Sequence, residues 1–393
     1  MFSLGVMIRR WIQQWAGRGL HVEGNRGFFQ KFQEQESWRK TLKIVAKQGF
    51  RLQYLNEYVD THRDCLLSPL LARHERFPAC AIQKVIGIDE RYFRQQWKGI
   101  EGYEIRADFG ASLKNVSLWG FPFFVLTEDQ VLLRDCSWDL KCFRKAAERP
   151  PVTKKISGRA IILPLHRSKN YYHWVIEVLP RIQLLMEEGL WNRVPVIVPP
   201  LHDNQLESLM ALGLNPELLI PFDPECDHFK IEEGIYPSRL GAIRKASRSS
   251  VDWLRAKLVP SDLERKRKIY YSRSGAKTRR VLNESEFLPE LVKRGFEIFT
   301  GEGVSFNEQI RFFAEAKLVV GAHGAGLSNL VFCAPRTPVI ELMGRDYVNP
   351  CFGELCDSGR NPYSVIVGAP KYKGHYVVNS TLLLKELEEQ SNG

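Results

Sequence analysis

Three glycines and a histidine follow an apolar stretch that is typical of a buried strand. Gly321, His323, Gly324 and Gly326 lie within Leu318–Phe332, whose last part has a helical pattern. Glycine lets the backbone turn sharply and approach a ligand closely, and the first N–H groups of a helix attract an anion. We therefore predict that this turn binds a diphosphate, with His323 donating to a phosphate oxygen. The alternative is a purely structural turn with a solvated histidine.

The turn matches neither of two common nucleotide-binding motifs. Asn329 stands where a dinucleotide fingerprint has its third glycine, and the Gly-Lys-Ser/Thr of a P-loop is missing. Glu341 comes 20 residues after Gly321, at the end of the next predicted strand. An acidic residue at that place suits the hydroxyls of a ribose. We predict that role for Glu341.

A basic loop forms the second cluster. Arg273 and Arg280 follow the predicted strand 268–272, and ligands of α/β sheets bind at the carboxyl ends of the strands. Arginine offers forked donors that fit a phosphate, so we predict that both arginines bind one. Asn283 and Glu286 form the pattern of a capping box for the following helix. The alternative for the loop is a solvated surface.

The third cluster is His166–Arg181, directly after the predicted strand 159–165. Asn170 is a suitable N-cap for the helix that follows. His173 and Glu177 are four residues apart and share one helix face, so they could act as a general base and its orienting partner. The alternative is a structural histidine at a buried helix. The spacing differs from the His-Glu-x-x-His of zinc proteases.

The elements that carry these clusters alternate between strands and helices from residue 159 onwards. Such alternation predicts parallel sheets with helices on both faces. We predict strands at 159–165, 194–199, 218–221, 229–236, 268–272, 296–299, 317–321, 337–342 and 363–367, and helices at 171–189, 203–213, 248–258, 284–294, 305–316, 325–333 and 346–357. Before them, residues 25–100 have a mostly helical pattern, and Ser112–Trp138 has that of a β-meander with a turn at Thr127–Gln130.

Length and composition are those of a globular protein. The chain has 393 residues, 44% hydrophobic and 26% charged, which predicts two to three domains at roughly 150 residues each. Its apolar runs reach about six residues, far below the roughly 18 of a membrane-spanning helix. The eight cysteines show no zinc-binding spacing, and we expect reduced thiols in a reducing compartment.

Positive charge is concentrated in two segments of a chain whose formal net charge is +11. Residues 1–51 hold ten Lys/Arg against three Glu, and residues 244–280 hold thirteen Lys/Arg against three Asp/Glu. Localised basic charge points to anionic partners, such as nucleic acid, lipid headgroups or a phosphorylated ligand.

The first 18 residues have the pattern of a basic amphipathic helix. One face is apolar, and Arg9, Arg10 and Arg18 fall on or near the other. The charges follow the apolar residues rather than precede them, and no small-residue cleavage site appears, so we expect no secretory signal. The helix either packs on the protein or lies in a membrane interface. We predict a cytoplasmic protein with possible peripheral contact to the inner membrane surface.

The three clusters resemble, in order, motifs of glycosyltransferase family 61. That family includes bacterial capsular-polysaccharide glycosyltransferases, plant xylosyltransferases and animal O-linked N-acetylglucosaminyltransferases. The matching motifs, within roughly residues 105–370, are Asn170–Arg181, Tyr271–Arg273, Arg280–Glu284, Ser305–Ile310, Gly321–Asn329 and Val339–Glu341. Residues 1–100 carry none of them.

The resemblance implies an α/β protein with a GT-B fold, in which two Rossmann-like domains face each other across a cleft. The expected regions are a helical basic segment at 1–100, an acceptor domain at 101–258, a nucleotide-sugar domain at 259–370 and a C-terminal helix that crosses back at 371–393. The implied reaction is an inverting transfer from a nucleotide sugar, usually UDP-linked, without an obligatory metal or other cofactor. The chain lacks an Asp-x-Asp motif, which agrees with this expectation.

The resemblance also assigns roles to residues. Nucleotide-sugar binding is expected of Arg273, Arg280, Asn283, Glu284, Gly321, His323, Gly324, Ala325, Gly326, Leu327 and Glu341, and acceptor binding of His166, Asn170, Tyr172 and Arg181. His173 or Glu177, the latter directly or through the histidine, is the expected general base. The acceptor is expected to be a saccharide or a lipid-linked saccharide of capsule or polysaccharide biosynthesis.

Two other classes of protein remain as alternatives. One is a non-catalytic binder of nucleic acid or anionic surfaces, but recognisable nucleic-acid modules and a stacking platform are missing. The other is a nucleotide-sugar-modifying enzyme such as an epimerase, but the dinucleotide fingerprint that such enzymes need is missing. We therefore expect no nucleic-acid partner.

Overall fold

The computed structural model describes residues 49–53, 55–71, 75–77, 82–96, 103–105, 108–120, 123–133, 149–163, 170–237 and 246–392. The predicted amphipathic helix at the N-terminus, His166 and the end of the predicted meander lie outside these residues. None of the described helices is long and apolar enough to cross a membrane.

The described elements form a mixed α/β fold with two large sheets and one small one. The strands are β1 (Arg51–Gln53), β2 (Leu66–Leu71), β3 (Glu75–Phe77), β4 (Ile82–Ile86), β5 (Tyr103–Ile105), β6 (Asp108–Trp119), β7 (Phe124–Leu126), β8 (Val131–Leu133), β9 (Lys154–Ile162), β10 (Val196–Val198), β11 (Leu219–Pro221), β12 (His228–Pro237), β13 (Arg267–Tyr271), β14 (Phe296–Phe299), β15 (Ala316–Ala322), β16 (Val339–Gly344), β17 (Tyr363–Pro370) and β18 (Tyr376–Val377).

The helices fall mainly between these strands. They are α1 (Leu55–Thr61), α2 (Glu90–Gln96), α3 (Tyr171–His173), α4 (Arg181–Glu187), α5 (Asp203–Ala211), α6 (Arg248–Leu258), α7 (Glu284–Lys293), α8 (Phe306–Ala314), α9 (Cys351–Gly359) and α10 (Ser380–Asn392). A π-helical turn, Trp174–Val178, continues α3, and short 3-10 helices span Arg63–Cys65, Pro216–Leu218, Ala325–Phe332 and Tyr372–Gly374.

The first sheet is mixed rather than fully parallel. Its order is β1-β8-β7-β6-β12-β9-β10-β11, with β2 paired to β6. Strands β9 to β12 are parallel to their neighbours, as the strand–helix alternation predicts, but β6 runs antiparallel to β12. Strands β6, β7 and β8 form the predicted meander, whose short turns join antiparallel neighbours, and the meander pairs with the parallel strands through β6.

The second sheet is parallel through most of its width, in the order β14-β13-β15-β16-β17. In chain order this is 2-1-3-4-5, the arrangement of doubly wound sheets in which the strand order reverses between β13 and β15. Both clusters predicted to bind phosphate therefore follow strands that meet at this reversal point. Ligands of such sheets bind at the carboxyl ends of the strands at that point.

The prediction that residues 25–100 are mostly helical is wrong for the described part. Strand β1 pairs with β8 in the first sheet, and β4 pairs with β17 in the second. In β4, Ile82 is buried while Gln83 and Lys84 are exposed. An edge strand with polar side chains resembles an exposed helix in sequence, because its distant partner strand supplies the hydrogen bonds that stabilise it.

The C-terminal helix α10 packs on the second sheet. Leu383 and Leu387 belong to the apolar core between this helix, α7 and the sheet. Lys84 of β4 donates to Glu386 and Glu389 of the helix, at 2.6 Å each. The helix thus fixes the edge strand that the N-terminal part of the chain contributes.

Helix α6 connects the two sheets and is held by one buried arginine. Ser247 caps the helix by accepting from the N–H of Ser250. Arg255 donates to the backbone carbonyls of Val331 and Gly359, at 2.9 and 3.0 Å, and burial lowers the pKa of its guanidinium. These contacts fix the end of the 3-10 helix that starts at the glycine turn.

Candidate active site

The glycine turn lies at the carboxyl end of β15 and leads into the 3-10 helix Ala325–Phe332. None of its glycines has a positive φ, so left-handed backbone is not the reason for them. A Cβ on Gly324 would lie 1.9 Å from Nη1 of Arg273, and a Cβ on Gly326 would lie 2.5 Å from the ring of Tyr271. The glycines are required because side chains from β13 and its loop lie directly against the turn.

Arg273 lies directly against this turn, and Arg280 belongs to the same loop between β13 and α7. Arg273 donates to the carbonyl of Thr278 at 3.2 Å, and Arg280 donates to that of Ser274 at 3.4 Å. Within the described part of the chain, the Nε atoms of both arginines are buried without a hydrogen-bond partner. A buried N–H group without a partner is costly, so each guanidinium retains a donor for an anion.

His375 holds the backbone of Arg280 in place through a hydrogen bond. The backbone N–H of Arg280 donates to Nδ1 of His375 at 3.0 Å, so this nitrogen carries no proton. Burial, with the charges of Arg280 and Lys373, lowers the pKa of His375. The imidazole therefore stays neutral and does not add to the positive charge of the loop.

Glu284 faces the interior rather than the presumed ligand. It accepts from the hydroxyls of Tyr270 and Ser272, at 2.8 and 2.7 Å, and its side chain is buried. Burial and the adjacent carboxylate raise the pKa of Tyr270. The Ser272 oxygen in turn accepts from the N–H of Ser274. Glu284 thus braces the basic loop, and its predicted contact with the nucleotide sugar stays a prediction.

The predicted capping box at Asn283 is wrong. Asn283 occupies the N-cap position of α7, but its side chain makes no capping hydrogen bond. Its amide instead donates to Glu286 and to the carbonyl of Val378, and its oxygen accepts from the N–H of Val378. The C-terminal segment competes for the side chain and offers it two backbone partners.

Glu341 is buried and holds His323. One carboxylate oxygen is bonded to Nδ1 of His323, and the other accepts from the hydroxyl of Tyr363 at 2.5 Å. The exposed fraction of Glu341 is 0%, and its side chain turns into the protein and orients the histidine. Its predicted contact with a ribose stays a prediction.

His173 and Glu177 form the predicted pair. Nδ1 of His173 lies 2.9 Å from Oε1 of Glu177, and since a carboxylate accepts, Nδ1 carries the proton and Nε2 is left for a substrate. Asn170 caps the helix, as predicted, by accepting from the N–H of Tyr172 at 3.0 Å. The π-helical turn that follows accommodates Pro180, which has no N–H to continue an α-helix.

A row of aromatic rings connects the two His–Glu pairs. Tyr172 contacts the ring of His173 edge-on, with centroids 5.5 Å apart, and contacts Phe352 of α9 at 5.6 Å. Phe352 in turn contacts His323 at 5.1 Å. The two pairs come from different sheets, and their histidines are separated by only two side chains.

Arg181 has a structural position in this region. Its guanidinium donates to the carbonyls of Glu177 and Pro237, at 2.9 and 3.0 Å. These bonds fix the end of the helix that carries His173. The predicted acceptor contact of Arg181 stays a prediction, as do those of Asn170 and Tyr172.

The residues that join the two halves are not among the predicted site residues. The hydroxyl of Tyr171 donates to Asn329 at 2.6 Å, and Asn329 donates to Gln309 at 2.9 Å. Glu207 of α5 accepts from the N–H of Phe306 at the start of α8, at 2.6 Å. Asn329, at the position of a missing third glycine, was the available signal, since a buried amide needs hydrogen-bond partners.

Replacing Tyr171 with phenylalanine is expected to lower the midpoint of urea unfolding. Asn329 is fully buried, and its oxygen would lose this donor at a cost of about 1–3 kcal/mol. Tyr372→Phe is the matched control, because Tyr372 is 64% exposed. Equal midpoints for the two variants would show that this bond between the halves contributes nothing.

Among the described residues, no group of three His, Cys, Asp or Glu side chains is placed to hold a metal ion. The charged groups around the glycine turn are instead the arginines and the His323–Glu341 pair. The site can therefore bind an anion at the second sheet and offer a histidine base from the first.

Comparison with known proteins finds a family match over the segment that carries most of these residues. Residues 171–340 match the model of the family Glycosyltransferase 61, and this segment carries His173, Glu177, both arginines and His323. Over this segment the chain is similar to glycosyltransferase family 61, which confirms the resemblance that its motifs indicate.

Two curated plant proteins are similar over shorter stretches. A β-1,2-xylosyltransferase of Oryza sativa subsp. japonica is 45% identical over 49 residues, covering 12% of this chain and 9% of the rice protein. A β-1,2-xylosyltransferase of Arabidopsis thaliana is 29% identical over 96 residues, covering 21% of this chain and 18% of the plant protein. The chain thus matches less than a fifth of the length of either relative.

Proposed function

We propose that this protein is an inverting glycosyltransferase with a GT-B arrangement. It transfers a sugar from a nucleotide sugar, UDP-linked, to a saccharide or lipid-linked saccharide acceptor. The second sheet binds the donor and the first presents the acceptor. The family match over the segment that carries the site supports glycosyl transfer over the alternative of a non-catalytic anion binder.

One observation carries the proposal: two His–Glu pairs from different sheets lie two aromatic rings apart, and one of them adjoins the arginine loop. Glycosyl transfer requires a base at the acceptor and positive charge at the leaving group. The acceptor hydroxyl must lose a proton, and the leaving diphosphate must be stabilised as negative charge develops on it. The pair at His173 fits the first demand, and the glycine turn with its arginines fits the second.

The leaving group is stabilised by charge that is already in place. The reversal of strand order lies between β13 and β15. The Nε groups of Arg273 and Arg280 come from the loop after β13, and the 3-10 helix that begins after Gly324 follows β15. Donors that are fixed before the reaction stabilise developing charge without reorganisation. His323, held by Glu341, adds a ring nitrogen whose direction is fixed. In this proposal these positive groups perform the role that a cation has in metal-dependent transferases.

The base acts from the opposite side of the sugar. Imidazole has an unperturbed pKa of about 6.5, which suits proton transfer near neutral pH. His173 accepts the hydroxyl proton at Nε2, and Glu177 holds the ring and stabilises the imidazolium that forms. Attack from that side inverts the anomeric centre. The names of the plant relatives specify a β linkage, which an α-linked donor yields by inversion.

A donor panel tests the proposal. UDP-xylose, other UDP-sugars and GDP-sugars are added with saccharide acceptors, with and without EDTA, and release of nucleotide diphosphate is measured. We expect turnover with a UDP-sugar that survives EDTA, and a product whose anomeric configuration by NMR is opposite to that of the donor. Retention, or activity lost with EDTA and restored by manganese, would contradict the mechanism. Binding of oligonucleotides in place of sugars would favour the alternative.

The cellular setting belongs to the same proposal. A basic, amphipathic N-terminal sequence and the resemblance to capsule enzymes support a cytoplasmic enzyme that works at the inner membrane surface. Flotation with anionic liposomes tests this setting separately from catalysis.

A further inference from the structure

Tyr347 is an exposed aromatic side chain beside the candidate donor site that the mechanism does not use. It lies in the loop after β16, and its ring contacts His323 with centroids 5.2 Å apart. It is 42% exposed, whereas Phe352, the other ring against His323, is buried. The exposed ring of Tyr347 lies next to the buried His323–Glu341 pair, so a ligand bound at His323 can contact it.

Arg279 lies over the ring of Tyr347. Its guanidinium carbon is 4.6 Å from the ring centroid, within the range of a cation–π interaction. The backbone of Arg279 has a φ of 57°, the left-handed region that non-glycine residues rarely adopt.

The position of the ring separates it from the transferred sugar. Phe352 and Tyr172 lead from His323 to His173, so the sugar and the acceptor belong on that side. Tyr347 lies outside this row of rings, in the loop that follows β16. A nucleotide whose diphosphate occupies the arginine loop has its base at the other end from the sugar, and Tyr347, which contacts Arg279 of that loop, is the exposed ring available to it.

We infer that Tyr347, backed by Arg279, is the stacking surface for the nucleobase of the donor. This inference rests on the proposed function and deepens it. A base has a π face that stacks on an aromatic ring, whereas pyrophosphate has none. Tyr347 therefore distinguishes a nucleotide from its phosphates alone, and the arginines of the loop bind both.

Calorimetric titration of Tyr347→Ala with UDP and, separately, with pyrophosphate tests the inference. We expect the UDP affinity to fall about 5- to 150-fold, the range for losing one stacked base, and the pyrophosphate affinity to stay within about twofold of wild type. Tyr347→Phe keeps the ring and should retain the UDP affinity. Met210→Ala, which removes another large exposed side chain, on α5, is the control and should change neither affinity.

The outcomes separate this inference from the proposed function. An unchanged UDP affinity in Tyr347→Ala overturns the stacking role, and so does an equal loss of UDP and pyrophosphate affinity, because Tyr347 would then act only by holding Arg279 or His323. Wild-type protein that binds neither ligand would contradict the nucleotide-sugar donor itself. Equal unfolding midpoints of the variants establish that the fold is unchanged.

Discussion

Replacing His173 with alanine is expected to lower kcat by about 10²–10⁴-fold, the usual contribution of a general base, and to leave donor affinity nearly unchanged. The reason is that, in the proposed mechanism, Nε2 of His173 acts on the acceptor hydroxyl, while the second sheet binds the donor. Steady-state kinetics with saturating donor and acceptor give kcat, and titration with UDP gives the donor affinity.

Replacing Glu177 with glutamine shows which residue of the pair is the general base. If Glu177 only orients the imidazole, Glu177→Gln costs less than His173→Ala; if it is itself the base, it costs more. His202→Asn is a matched control, because His202 is exposed at the start of α5 and asparagine is a good N-cap. Near wild-type turnover in both site variants would move the base elsewhere in the cleft, with His166 the next residue to test.

Replacing Arg273 or Arg280 with alanine is expected to weaken UDP binding about 10- to 150-fold. Each change removes a charge-assisted hydrogen bond to phosphate, worth about 1.5–3 kcal/mol. The loss should appear with pyrophosphate as well, in contrast to the loss from Tyr347→Ala. Calorimetric titration measures both ligands.

Two further variants sharpen this test. Gly324→Ala should reproduce much of the Arg273→Ala defect, because the new Cβ would lie 1.9 Å from the guanidinium that it displaces. Lys257→Ala removes the same charge from an exposed position on α6 and should leave UDP affinity unchanged. Equal affinities in all four variants, with the fold intact, would remove the arginines from the donor site.

The two His–Glu pairs differ in how firmly they are held. The His323–Glu341 pair has a third member in Tyr363 and side-chain exposures of only 4% and 0%, whereas the His173 and Glu177 side chains are 7% and 12% exposed. The more buried pair suits a fixed contact with the diphosphate. The more accessible one suits proton exchange with an acceptor that must enter and leave.

Local spacing in the sequence determined the parts of the site that lie on one element. Residues four apart on a helix face each other, so His173 and Glu177 could be paired without a structure. A strand followed by glycines and a helical pattern likewise placed the turn at Gly324 on a sheet edge, next to the strand that ends before Arg273. The second sheet was predicted almost element by element, because alternating strands and helices have few ways to pack.

Only the tertiary structure decided which side chains are available to a ligand and which make hydrogen bonds within the fold. All of β16 is buried, so period-two alternation could not show that Glu341 turns inward to His323 and Tyr363. The same holds for Asn329, whose partner Tyr171 lies on the other half, and for β4, which joins a sheet formed mostly by the C-terminal part of the chain. Hydrogen bonds between segments far apart in sequence leave no periodic signal, and here such bonds fix the geometry of the site.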